Sequence, residues 1–407
     1  MPDPPLARQR RIRWQRVLAV ISLPPLAWLA FKGLDTNNLS PTADIWLGAV
    51  FGLAAFRSRT LRFLIAVSST LLILGASEIV AYCYEAKILS PPKIYSYAGE
   101  PSLGFMSEHP LVGYAFRGPA QLWASATIGD EILFDSVQYS IDSLSRRTCV
   151  AGFLPPQHAL VFGGSFAFGE GLSNSEMIAC QLETASGNRY QGYNYGMMGW
   201  GASQAYNQLG VDDLFTDIRQ PSGVAVFCFI GDHIHRTTWN IGTAATYPEY
   251  PFFQMSDSGE LVGPFKTRDR WNLEMAASAY SFWRGYSPLF RTLGKPALFR
   301  IESDIEAVRT TAHVLAATRL RYRQRFDGEF IVLIWPRARL DRALEDRFVD
   351  ELGVLGVPVV MAAKLPGDAL QARLHRNDPH PSAKEIAWVT LALLGEMRIL
   401  EGAAAGP

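Results

Sequence analysis

An α/β fold is predicted for this chain: a three-layer α/β/α domain on a parallel five-stranded sheet, preceded by N-terminal transmembrane helices and a small β-rich prelude. Three observations predict it. Apolar runs of β character alternate with helical stretches after residue 150, the stretch ILFDSVQYSID (132–142) alternates apolar and polar residues, and long apolar segments between arginine clusters fill the first 84 residues. The expected organisation is an anchor over 1–84, the prelude over 85–150 and an α/β domain over 151–407, with an aromatic-rich insert at 232–300.

The anchor has three apolar segments, near 17–34, 40–56 and 63–84. The third, Phe63 to Tyr84, is 22 residues long with Glu78 as its only charge, and a helix needs about 20 apolar residues to cross a bilayer. The first contains Pro24 and Pro25, and the apolar core of the second is short, so either alone reads equally as a buried helix. Arginines 8, 10, 11, 13 and 16 precede the first segment, and Arg57, Arg59 and Arg62 precede the third. Positive flanks stay cytoplasmic. Both clusters inside requires a hairpin of the first two segments, and the third then exports all that follows. The expectation is a multi-pass anchor in the cell membrane with an extracytoplasmic domain. A cleaved signal peptide fits less well, since no A-x-A site follows residue 31; three buried helices of a soluble domain are the other alternative.

Among the 407 residues, 38 Lys and Arg balance 38 Asp and Glu, so the electrostatic footprint of a nucleic-acid-binding protein is missing. Cys83, Cys149, Cys180 and Cys228 show no zinc-ligand spacing, and neither a metal nor a cofactor is expected. If the domain is exported, Cys149 and Cys180 could pair, but four cysteines allow three connectivities.

The five strands are read at HALVFGG (158–164), RYQGYNYG (189–196), GVAVFCFIG (223–231), EFIVLIWP (329–336) and VPVVMAA (357–363). Helices are read after Ser173 to Ser175, after Ser203, over 301–326 and after Ser382, from their start signals and periodicity. Together they make a flavodoxin-like three-layer domain. The insert at 232–300 carries TTWNIG, YPEYPFFQ, RWNLEM and SFWRGY; it reads as a lid or acceptor-binding surface, or as a packed subdomain.

In an open α/β sheet, ligands bind beyond the carboxyl ends of the strands. Ser165 follows the first strand directly, after Gly163 and Gly164. A serine in a glycine turn is ordinarily a turn or cap residue, and a nucleophilic serine needs a base that a third group orients. Of seven histidines, His380 is the one in a loop before the last helix, with Asp378 two residues upstream and prolines on both sides. Glycines 199 and 201 after the second strand offer bare N–H groups for an oxyanion, and FIGDHIHR (229–236) places Asp232, His233, His235 and Arg236 after the third.

In order, these four blocks resemble the SGNH/GDSL hydrolase superfamily of serine esterases and acyltransferases, over about Ala159 to Leu394. The resemblance implies Ser165 as nucleophile, with its own backbone N–H as an oxyanion donor, and Gly199 as a second donor. His380 is implied as general base and acid, with Asp378 orienting it; the single residue between them is one fewer than usual, a spacing some polysaccharide acetyl-transferring relatives share. Gly164 stands where an Asp is common. Asp232 stands where an Asn usually donates to the oxyanion, and a carboxylate only accepts hydrogen bonds. Either His233 takes over as the third donor, or Asp232 is held protonated, or the third donor is missing; chemistry alone favours His233.

The function expected is a membrane-anchored serine esterase, an acyl hydrolase acting on acylated carbohydrate of the cell envelope or on exported glycan. The alternatives are an O-acyltransferase in polysaccharide decoration, served by a partner membrane acyltransferase, and a catalytically inactive glycan-binding or scaffold protein tethered to the bilayer.

Overall fold

The computed structural model describes residues 61–88, 93–100, 105–149, 155–293, 300–335, 341–362, 366 and 372–404. The chain divides into two compact units, one of Met1–Ser90 with Ser278–Leu298 and the other of Pro91–Ala277 with Phe299–Pro407. The prelude from Pro91 onward lies in the same unit as Ser165, Asp378 and His380, and Ser278–Leu298 of the aromatic insert lies in the unit of the N-terminal segment.

In the first unit, the expected third membrane segment is a helix, Leu61–Ile88. Its buried Glu78 carboxylate accepts hydrogen bonds from the Ser287 hydroxyl and, at 2.9 Å, from the Leu289 amide, at the start of the short helix Pro288–Leu293. Among the described residues, no helix is long and apolar enough to cross a membrane. The segments near 17–34 and 40–56 lie outside the described residues.

The second unit begins with the prelude. Strands β1 (Lys93–Glu100), β2 (Met106–His109), β3 (Gly113–Phe116), β4 (Ala120–Ile128) and β5 (Glu131–Ile141) make an antiparallel sheet β1-β4-β5 and a β2-β3 hairpin. Along β4, Leu122, Ala124 and Ala126 point inward and Trp123 outward, the period of two of a half-buried strand. The inward face packs with Phe168, Met197 and Trp200 of the loops that carry the site. Arg147 locks the two together: its buried guanidinium donates to the carbonyls of Phe168, Gly169 and Leu172.

The central sheet consists of β6 (Gln157–Gly163), β7 (Tyr190–Asn194), β8 (Ser222–Phe229), β11 (Asp327–Ile334) and β12 (Val359–Met361), all parallel in the order β12-β11-β8-β6-β7. All five expected strands are present. Besides β2-β3, two hairpins lie outside this sheet among the described residues, β9 (Phe252–Met255) with β10 (Leu261–Phe265), and β13 (Arg373–His375) with β14 (Asp378–Pro381). Successive residues of β6 face opposite layers. Leu160 and Phe162 pack with helices Ala202–Gln208, Asp304–Arg325 and Arg342–Val354, while Ala159 and Val161 pack with Ile178–Ala185 and Ala383–Ala404. Ser303 opens Asp304–Arg325 with a reciprocal Ser–Glu306 cap, which fixes the start three residues later than the sequence reading. Cys149 and Cys180 form a disulfide, and Cys228 is a buried free thiol.

His158, at the start of β6, is fully buried; its Nδ1–H donates to the Gln220 carbonyl at 2.9 Å and its Nε2 accepts from Tyr322 at 2.9 Å. Burial pushes its pKa down to about 4 from an unfolded value of 6.5. Between those values the unfolded chain binds the proton and the native chain does not. The stability His158 provides is thus complete above pH 6.5 and is lost as pH falls towards 4, by roughly 3 kcal/mol. Urea unfolding at pH 7 and pH 4.5 is expected to show a smaller loss of stability in His158→Gln than in the wild type.

Candidate active site

The first functional side chain is placed by a glycine turn. Gly163 ends β6 with φ 137°, and a Cβ there would stand 2.8 Å from the Cys228 carbonyl oxygen, so only glycine fits. The chain then enters the one-turn helix Ser165–Phe168, which puts Ser165 at the carboxyl end of the sheet.

His380 reaches it from β14. Its Nε2 lies 2.8 Å from Ser165 Oγ, and its Nδ1 makes a short hydrogen bond with Asp378 Oδ1, which also accepts the His380 backbone N–H at 3.0 Å. The buried carboxylate accepts a hydrogen bond from Nδ1–H, which keeps the proton on that nitrogen and leaves Nε2 free to accept from the serine hydroxyl. Burial alone would raise the Asp378 pKa; the His380 hydrogen bond and charge and the Lys93 ammonium together hold it well below the usual carboxylate range.

Four further side chains, none of them assigned a role from sequence, complete the site. Lys93 of β1 bridges Asp378 Oδ2 at 2.7 Å and Glu170 Oε1 at 2.5 Å, and the Tyr95 hydroxyl donates to the same Glu170 oxygen. The other Glu170 oxygen stands 3.4 Å from His380 Nε2. Burial and the Glu170 carboxylate raise the Tyr95 pKa far above its usual value, so this hydroxyl remains a donor. Glu170, Asp378 and His380 offer ligand atoms within 4.8 Å of one another, but the Lys93 ammonium already supplies the positive charge between the two carboxylates. Arg236 is the fourth.

Ser165, Gly199, Asp232, Arg236 and His380 line a cavity of about 320 Å³, with Tyr95 and Glu170 on its wall. Gly199 has φ 80° and lies against Tyr114, whose hydroxyl would be 2.2 Å from a Cβ at this position. Tyr114 donates to the Met198 carbonyl at 2.7 Å, Tyr250 donates to the Gly199 carbonyl at 3.0 Å, and the Trp200 indole donates to the Tyr114 carbonyl at 3.1 Å. The second loop is therefore held from the prelude and from the insert.

The third loop departs from the expectation. His233 is fully buried; its Nδ1 accepts from the Ile230 amide at 3.3 Å, and its Nε2 has no protein partner. Burial and the neighbouring Arg236 push its pKa well below 6.5, so the ring is neutral and carries its proton on Nε2. That nitrogen lies 2.8 Å from where a Cβ on Gly164 would sit, and the cavity wall here is formed by Asp232 and Arg236. The structure thus brings Ser165, His380, Asp378, Gly199 and Asp232 together and places His233 next to Gly164, off the cavity wall. Of the aromatic insert, Asp232 and Arg236 line the cavity, while Trp271, Phe282 and Trp283 are exposed.

No protein-family model matches the chain, and no curated protein matches it. Three similar solved structures are a protein of the lipolytic G-D-S-L family from Desulfitobacterium hafniense DCB-2, TesA, and a carbohydrate acetylesterase family member from Sinorhizobium meliloti. They are 10%, 13% and 12% identical to this chain, cover 58%, 60% and 60% of it and 97%, 99% and 99% of their own lengths, and give TM-scores of 0.29, 0.32 and 0.32. The similarity to the SGNH/GDSL hydrolase superfamily rests on the parallel sheet and on the four sequence blocks around one cavity; overlays at these TM-scores carry no part of it.

Proposed function

We propose that the chain is a serine esterase that cleaves acyl groups from carbohydrate outside the cytoplasm. The observation that carries this reading is the continuous hydrogen-bonded line from Ser165 Oγ through the His380 ring to Asp378, opening into a cavity. As the Ser165 oxygen forms a bond to the ester carbonyl carbon, its proton passes to His380 Nε2 and the carbonyl π pair moves onto oxygen. The Ser165 and Gly199 amides are the proposed donors to that oxygen. Collapse of the adduct expels the sugar alkoxide, which takes the proton from His380; water, giving a proton to His380, then attacks the acyl-enzyme, and as that adduct collapses the Ser165–carbon bond breaks, Ser165 takes the proton back and the acid is released.

The carbohydrate and the location are the finer part of the proposal. The Cys149–Cys180 disulfide supports an oxidising compartment. The arginine flanks and apolar segments of the first 84 residues are the sequence basis for a membrane anchor with the domain outside; the helix over the third segment, Leu61–Ile88, is by itself not long and apolar enough to cross a membrane.

The test is incubation of the purified protein with an acetylated donor, with and without an unacylated glycan. Acetate released at the same rate in both supports the esterase. Acetyl transfer to glycan replacing acetate release supports the O-acyltransferase, and neither product supports the binding protein.

A further inference from the structure

We infer that the Arg236 guanidinium is the third oxyanion donor of this site, the role that Asp232 cannot fill. The inference rests on the serine-esterase reading and adds to it a catalytic residue. Arg236 is in the last turn of the helix Asp232–Thr237, and its stem lies so close to Gly201 that a Cβ there would stand 2.9 Å from Arg236 Cβ. From that anchor the guanidinium reaches over the glycine turn: Nη1 lies 3.0 Å from the position of a Cβ on Gly164, the residue before the nucleophile. Any side chain at 164 would push it away.

Its two hydrogen bonds are both long, Nη1 to the Trp200 carbonyl at 3.3 Å and Nη2 to Asp232 Oδ2 at 3.3 Å. A guanidinium has five N–H donors in a rigid fork, so these two bonds leave donors for the cavity that Arg236 lines with Ser165 and Gly199. Asp232, which lines the same cavity, is an acceptor only and would repel an oxyanion. Paired with Arg236, it instead orients the fork and offsets part of its charge. When the Ser165–carbon bond forms and the carbonyl pair moves to oxygen, a cationic donor is therefore already aimed from the third side. The neutral His233 ring is buried beside it and adds no competing charge.

The two roles open to Arg236, donor to the oxyanion or neutraliser of Asp232, are separated by a double-mutant comparison with p-nitrophenyl acetate as substrate and the full chain as enzyme. Arg236→Gln is measured in the wild-type background and in Asp232→Ala, with thermal melting confirming that each variant is folded; Arg236→Lys is a second variant that keeps the charge. If Arg236 is the donor, its loss lowers kcat about 10²- to 10³-fold in both backgrounds with little change in KM, and Lys restores part of the rate. A loss confined to the Asp232 background means that Arg236 only neutralises a carboxylate and overturns the inference, as does an unchanged kcat. A wild type without Ser165-dependent hydrolysis overturns the esterase reading and this inference together; an active wild type indifferent to Arg236 overturns the inference alone.

Discussion

His380→Ala is expected to lower ester turnover on the order of 10⁶-fold, about as much as loss of the nucleophile itself, because the members of such a unit act together. A serine hydroxyl does not give up its proton near neutral pH without a base in contact, and in the proposed mechanism His380 Nε2, 2.8 Å away, is that base. Glu170 is the one nearby group that could substitute. Its carboxylate, however, already accepts from Lys93 and Tyr95, which holds it towards the prelude. The variant should melt close to the wild-type temperature, since His380 contributes a polar contact at a cavity wall rather than core packing. A fall in kcat of less than tenfold would mean that Glu170 or solvent takes the proton.

Asp378→Asn has the second-largest expected effect, about 10⁴-fold in kcat. The carboxylate accepts the Nδ1 proton, and an amide presenting its N–H₂ to that nitrogen selects the opposite tautomer, with the proton on Nε2 facing Ser165. The change also removes one of the two carboxylates that flank Lys93. In the wild type, the Asp378 pKa is held well below the usual carboxylate range. Asp378 thus stays ionised throughout the range in which activity is measured and does not set the acid limb of the pH–rate profile. An Asp378→Asn enzyme with more than a tenth of wild-type kcat would show that the tautomer is fixed by something else.

The sheet was legible because each strand is a short run of β-type residues ended by glycine, proline or a polar turn, a pattern that buried parallel strands enforce. The helix Arg342–Val354 was not read from sequence. It buries only Phe348 and Leu352 within a charged stretch and so lacks a broad apolar stripe. Ser165, Asp378 and His380 stood out by local chemistry, a glycine turn or an Asp and a His held by prolines, while the family resemblance chose Gly199 over Gly201. Lys93 and Tyr95 did not stand out, because nothing in KIYSYAGE marks a site; their roles arise from tertiary placement, 285 residues from Asp378 in the case of Lys93. Gly164 and Asp232, two separate departures from the family resemblance in sequence, meet in space at the Arg236 guanidinium. The aromatic insert was less legible. Its composition suits sugar stacking, yet Ser278–Leu298 groups with the N-terminal segment, and Glu78 caps the helix within it.

The central claim is that Ser165 is an activated nucleophile, and covalent labelling tests it most directly. A fluorophosphonate probe added to the full-length protein, followed by peptide mapping, is expected to place the adduct on Ser165 in the wild type and to give no adduct in Ser165→Ala. Labelling that persists in Ser165→Ala, or a folded wild type that takes no label and cleaves no ester, would contradict the account.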